Sequence, residues 1–174
     1  RVGDRCPGTL DAAGLHAATC LVGGRRKHAH NGQRDLWAQQ LPGAGYAVQR
    51  EQHVPAWDRW VQRRDGRWEQ EHAILDLRLE APPDAPVAYL DVGVAHPCSG
   101  TYVGRAATEN GYAARQAEER KHARYPPNAR VRGRLVPLAV ETYGRLGILG
   151  EDPSRHPLPH SKNVPVRVHN CTRP

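Results

Sequence analysis

Methionine is absent from all 174 residues, and the chain opens on Arg1. Both features are expected of a piece cut from a longer polypeptide or of a decayed reading frame. No apolar run approaches the roughly 20 residues that a membrane span needs. No segment shows the basic, apolar and small-residue order of a signal peptide, so the reading is a soluble protein with no membrane partner. Cysteine is sparse: Cys6 and Cys20 lie at the front, and Cys98 and Cys171 lie far from them. That spacing excludes a close-set disulfide framework and points to a reducing compartment.

What is present suits one domain with a core, at 39% hydrophobic residues. The net charge is +7 and the isoelectric point about 9.6. Basic clusters stand at 24–28, with Arg25, Arg26 and Lys27, and at 130–134. Such charge suits a polyanionic partner. An Arg- and Ala-rich composition also follows from a GC-biased genome.

The residues from His30 to Gly43 read as one short amphipathic helix, with Asn31 as its cap and Pro42-Gly43 as its stop. Residues 46–52 alternate apolar with polar and read as a first strand. Residues 57–71 interleave Trp57, Trp60 and Trp68 with arginines. They read either as a base-stacking surface or as a hairpin around Asp65-Gly66 whose tryptophans pin it to the body. Strands follow at 73–79 and 87–95, separated by a Pro-rich turn that cannot join a ladder. A long helix is expected over 105–125, ended by Pro126-Pro127 and packed through Ala106, Ala113, Ala117 and Tyr125. A fourth strand is expected over 135–141. The order is helix, three strands, helix, strand.

Two aspartates carry the chemistry. Asp76 lies in Ala-Ile-Leu-Asp-Leu-Arg-Leu, and Asp91 in Ala-Tyr-Leu-Asp-Val-Gly-Val. An ionised carboxylate inside an apolar strand is costly unless something pairs with it, and a metal ion is a natural partner. Either aspartate alone fits a strand's water-facing side equally well. At the front, Cys6, His16 and Cys20 offer two thiolates and an imidazole within 15 residues, three parts of a tetrahedral zinc site. Gly3 stands where a close partner of Cys6 belongs. The fourth ligand then falls to His28, to His30 or to residues outside this chain; the alternative is two free thiols and a surface histidine.

These motifs resemble one family. Cys6 to Cys20, His30-Asn31, Leu90-Asp91-Val92-Gly93-Val94 with His96-Pro97, the Lys121-x-x-Arg124-Tyr125 ending and Val136-Pro137-x-x-x-Glu141-Thr-Tyr-Gly144 are together similar to a restriction-endonuclease-like domain. It is the domain of PD-(D/E)XK type at the C-terminal end of certain non-LTR retrotransposon polyproteins. The resemblance covers residues 1 to about 150. It implies an α/β fold with a mixed sheet flanked by helices, a zinc-knuckle-like segment over 1–28 and an endonuclease-like domain over 29–150; by composition, 151–174 reads as a Pro/His-rich tail.

It further implies nicking of double-stranded target DNA in the nucleus to prime reverse transcription, with element RNA engaged through the parent polyprotein. Carried over by position, Asp76 and Asp91 hold Mg²⁺ or Mn²⁺. Lys121 is the catalytic lysine, displaced from position 93, which is Gly93 here. Cys6, His16, Cys20 and His30 are zinc ligands, and Arg25, Arg26, Lys27, Asn31 and Arg124 meet nucleic acid. Lys121 reads equally as a helix-end lysine complementing the dipole. His30 also reads as a phosphate-positioning group, and Glu141 as a residue beside the site or a strand end.

Two departures, Ile74-Leu75 ahead of Asp76 and the missing first knuckle cysteine, point toward a degenerate copy. A second reading follows, that of a catalytically inactive remnant that holds nucleic acid through its basic residues and knuckle. A third is an interaction domain with no nucleic-acid role. The tail, with His156, His160, His169 and Cys171, is expected to be disordered.

Overall fold

A computed structural model describes residues 22–80 and 86–147 and, ahead of them, Cys6, Gly8, Thr9, Ala12, His16 and Cys20. The turn at 81–85 and the tail over 151–174 lie outside the described residues. The helices are α1 (Arg25–Gln40), α2 (Val103–Ala106) and α3 (Tyr112–Arg124). The strands are β1 (Ala47–His53), β2 (Arg59–Gln62), β3 (Trp68–Glu71), β4 (Ile74–Glu80), β5 (Ala88–Ala95) and β6 (Arg134–Glu141). The architecture is mixed α/β.

One four-stranded mixed sheet has the order β1-β4-β5-β6. β1 and β5 run antiparallel to β4, and β6 runs parallel to β5 over its whole length, from Ala88↔Arg134 to Ala95↔Glu141. A parallel neighbour needs a crossover, and α2 and α3 supply it. β6 is an edge strand, which is why it tolerates Pro137 and its missing N–H. β4 is central, and its Leu75, Leu77 and Leu79 are buried at 0–1% exposure. Leu77 and Leu79 pack with Leu41, Tyr46, Leu90 and Val136, and Leu75 packs with Trp57, Tyr89 and Tyr125. With no phenylalanine in the chain, tryptophan and tyrosine fill the large core positions.

Three expectations change. α1 begins at Arg25, not near Asn31, because Gly24 takes the left-handed turn (φ 74°) and the Arg, Lys and Ala that follow are good helix formers. Asn31 is therefore inside α1 and does not cap it. The helix expected over 105–125 is two helices. Thr108 turns its hydroxyl back to the Arg105 carbonyl, and Gly111, at φ 71°, starts α3 afresh. Residues 57–71 form a hairpin of β2 and β3, but only Trp57 of its tryptophans packs on the body. It donates to the Pro126 carbonyl at 2.8 Å, whereas Trp60 and Trp68 are 65% and 63% exposed.

Candidate metal centre and basic cleft

Asp76 and Asp91 are each the residue next beyond the Leu77↔Leu90 pair, where the β4–β5 ladder ends. Beyond that point the two strands pair only with their outer neighbours, β1 and β6. The Val92 amide, released from the ladder, donates instead to Asp76 Oδ2 at 2.7 Å. Two buried carboxylates thus face each other where the central strands part. Asp76 is 9% and Asp91 5% exposed.

Each carboxylate has one cationic partner from a different helix. His30 of α1 places Nε2 3.1 Å from Asp76 Oδ2. Lys121 of α3 places Nζ 2.7 Å from Asp91 Oδ2 and donates to the Val92 carbonyl at 3.3 Å. Asp91 Oδ2 is fully buried, and the ammonium beside it is an ion pair without the alignment of a hydrogen bond.

α3 comes close enough for this because its inner face is alanine: Ala113, Ala114 and Ala117 pack on Ala95 and Ala139. Two further buried carboxylates fix its position. Glu141 Oε1 accepts the Ala113 amide at 3.1 Å in the first turn of α3, and Glu118 Oε1 accepts the Ala139 amide of β6 at 3.3 Å. Glu141 is therefore the cap of α3, satisfying amides a helix start leaves unpaired and complementing the dipole.

The electrostatics of the pair diverge. Burial is the largest influence on Asp91 and, with Asp76 beside it, pushes its carboxyl from 3.8 to about 6 against the pull of Lys121. Burial acts on Asp76 too, but the His30 hydrogen bond and charge and the Val92 amide outweigh it and hold this carboxyl below its ordinary range. The hydrogen bond that His30 donates to Asp76 in turn raises His30. Two adjacent carboxylates, one carrying a buried oxygen short of aligned donors, form an oxygen-rich set that fits a hard divalent cation.

His30 and Lys121 line an open cleft of about 1180 Å³ between α1, α3 and the C-terminal end of β5. Among the described residues its lining carries five arginine and lysine side chains, Arg26, Lys27, Arg120, Lys121 and Arg124, and no carboxylate. Of the expected nucleic-acid contacts, Arg26, Lys27 and Arg124 are brought together here. Arg124 also donates to Glu71 Oε1 at 2.8 Å. Asn31 hydrogen-bonds His30 at 3.4 Å and is not part of the lining. Arg25 opens α1, and its side chain lies outside the described residues.

The front residues form a second group. Cys6 Sγ lies 3.0 Å from His16 Nε2 and 3.3 Å from Cys20 Sγ, and the three ligand atoms lie within 4.8 Å of one another. A Cβ at Gly8 would collide with the His16 ring at 2.3 Å, so the chain needs glycine there. His30 is not in this group. Its ring instead meets Asp76 at 3.1 Å.

Sequence reasoning missed three features. Gly93 does more than lack a lysine: a Cβ there would stand in ordinary contact with Ala117 Cβ at 3.9 Å and Lys121 Cε at 4.0 Å, so position 93 faces the Lys121 side chain. Its spacing two residues after Asp91 was the available signal. His96 lines the cleft while 8% exposed; Nδ1 meets Thr142 Oγ1 at 2.6 Å and Nε2 is buried without a hydrogen bond. The third is a cluster of His53, Asp58 and His72 at the hairpin root. No family model matches the chain, and no curated protein and no solved structure matches it.

Proposed function

We propose that this chain is a metal-dependent DNA endonuclease domain of a retroelement, with a restriction-endonuclease-like core. The observation that carries the reading is the Asp76–Asp91 pair, set where two strands part, with Lys121 on Asp91 and a cleft of cations in front. A divalent cation such as Mg²⁺ or Mn²⁺, held by Asp76 and Asp91, supplies charge neutralisation at the phosphate and acidifies an attacking water.

The chain's own residues do the rest. Arg26, Lys27 and Arg120 draw the sugar–phosphate backbone into the cleft, which is the salt-sensitive part of binding. Lys121, on a flexible stem beside Asp91, would be free to meet the oxygens on which charge develops if a cation took over Asp91. His30, held by Asp76 and open to the cleft on one side, orients a phosphate oxygen. Cys6, His16 and Cys20 supply three ligands of a zinc knuckle, and the partner is double-stranded DNA, reached in the nucleus, with element RNA engaged through the parent polyprotein.

Supercoiled plasmid incubated with the chain and Mg²⁺ or Mn²⁺ tests this. Nicked circles that disappear in Asp76→Ala and in Asp91→Ala support it. Retarded but uncut plasmid would make the chain an inactive nucleic-acid binder, and indifference to plasmid at low salt would remove the nucleic-acid role altogether.

A further inference from the structure

At the end of the edge strand β1, three residues from three separate segments converge. His53 closes β1, Asp58 precedes β2 and His72 follows β3. His53 Nε2 lies 2.9 Å from Asp58 Oδ1, and His72 Nδ1 lies 2.9 Å from Asp58 Oδ2. The two rings meet edge to face at 5.1 Å. The Ala73 amide donates to Asp58 Oδ1 at 2.8 Å, which fixes the carboxylate, and Gln70 reaches Oδ2 at 3.4 Å. The three ligand atoms lie within 4.8 Å of one another.

We propose that His53, Asp58 and His72 form a binding site for a borderline transition-metal cation of the Zn²⁺ class. Imidazole and carboxylate are the ligands such ions take, and zinc holds them at about 2.0–2.2 Å, so tetrahedral neighbours stand about 3.3 Å apart. The two histidine–carboxylate spacings of 2.9 Å need only a small outward shift. Each imidazole offers its inward nitrogen as a lone pair when its proton sits on the other ring nitrogen, and both side chains are about half exposed, so that proton reaches water. Binding thus exchanges two N–H···O hydrogen bonds for two metal–nitrogen bonds. Water completes the sphere.

The Ala73 amide anchors the carboxylate between the two rings independently of either histidine. The site ties the end of β1 to both feet of the hairpin. Its occupancy therefore stiffens the β2–β3 ribbon that carries Trp60 and Trp68. The inference is independent of the nuclease reading, since no residue is shared.

The test uses the full chain with Cys6→Ser and Cys20→Ser, so that the thiolate cluster takes no metal. Zn²⁺ is titrated against a chromophoric chelator, with and without His72→Gln, and ¹⁵N shifts of the His53 and His72 rings are followed in the unsubstituted chain. The expected result is the loss of one Zn²⁺ equivalent, or a weakening by more than about tenfold, in His72→Gln, with both rings shifting on Zn²⁺ addition. Titrations unchanged by His72→Gln in a folded protein would overturn the site. So would His53 and His72 ring signals that ignore Zn²⁺, a readout that stands even where His72→Gln fails to fold.

Discussion

Asp91 and Asp58 are both aspartates with cationic or imidazole partners at under 3 Å, yet their carboxyls move in opposite directions, to about 6 and to about 2. The difference is what surrounds the partners. Asp58, whose side chain is 10% exposed, accepts from an amide, two imidazoles and a side-chain amide. Asp91 lies in the interior, with a like charge beside it and one misaligned ammonium. Donors close around a carboxylate satisfy it. One short of donors stays a cation's binding place, and the contrast separates a hydrogen-bonded clamp from a reactive site.

The largest expected effect is at the deep pair. Asp91→Ala should lower Mn²⁺-supported plasmid nicking by a factor on the order of 10³ or more, as when preorganised transition-state stabilisation is removed. Asp58→Asn should leave nicking within about twofold, since its partners are His53, His72, Gln70 and the Ala73 amide, none of them in the Asp76–Asp91 pair's surroundings. A comparable loss in both variants would break the comparison.

Next come changes that keep the carboxylates and move their surroundings. Leu77→Ala, at a fully buried position one residue from Asp76, should cost about 2–5 kcal/mol in denaturant unfolding. Lys121→Ala should slow nicking without abolishing DNA retardation. Adding Gly93→Lys to Lys121→Ala should restore part of the rate, because position 93 opens on the space Lys121 Cε occupies. Failure of that rescue, with metal binding intact, would show that Lys121 acts only by holding α3.

The pH dependence sharpens the contrast further. Burial raises Asp91 from 3.8 to about 6, so the folded metal-free protein holds this proton more tightly than the unfolded chain does. Its contribution to stability is full below about pH 3.8 and is lost as the pH rises through about 6. Metal binding must displace that proton, so apparent Mn²⁺ affinity should fall about tenfold per unit of pH below 6. Asp58 is ionised throughout this range and should impose no such slope. The smallest effect is expected at Trp60→Ala, within about 0.5 kcal/mol in unfolding, as for an exposed side chain away from the core.

Much of the deep site was legible because its signals are local. Apolar runs interrupted by Asp76 and by Asp91 mark strands carrying buried charge, and Pro126-Pro127 marks the end of the helix carrying Lys121. The hairpin root was not legible. His53, Asp58 and His72 are 5 and 14 positions apart in polar sequence, and only the pairing of β2 with β3 brings them together. The break before α3 depends on the Thr108 back-bond and the left-handed Gly111, local choices that a helix-rich composition conceals. Trp60 and Trp68 looked like anchors by residue type. Trp60 pairs with Gln70 and Trp68 with Gln62, which puts both on one exposed face of the ribbon, and side-chain chemistry alone does not reveal a face.

The most direct measurement is Mn²⁺ binding to the full chain followed by electron paramagnetic resonance, comparing the unsubstituted protein with Asp76→Ala, Asp91→Ala and the His53→Gln/His72→Gln double variant. The account predicts one Mn²⁺ lost in each aspartate variant and retained in the double-histidine variant. Mn²⁺ binding unchanged in both aspartate variants would contradict it.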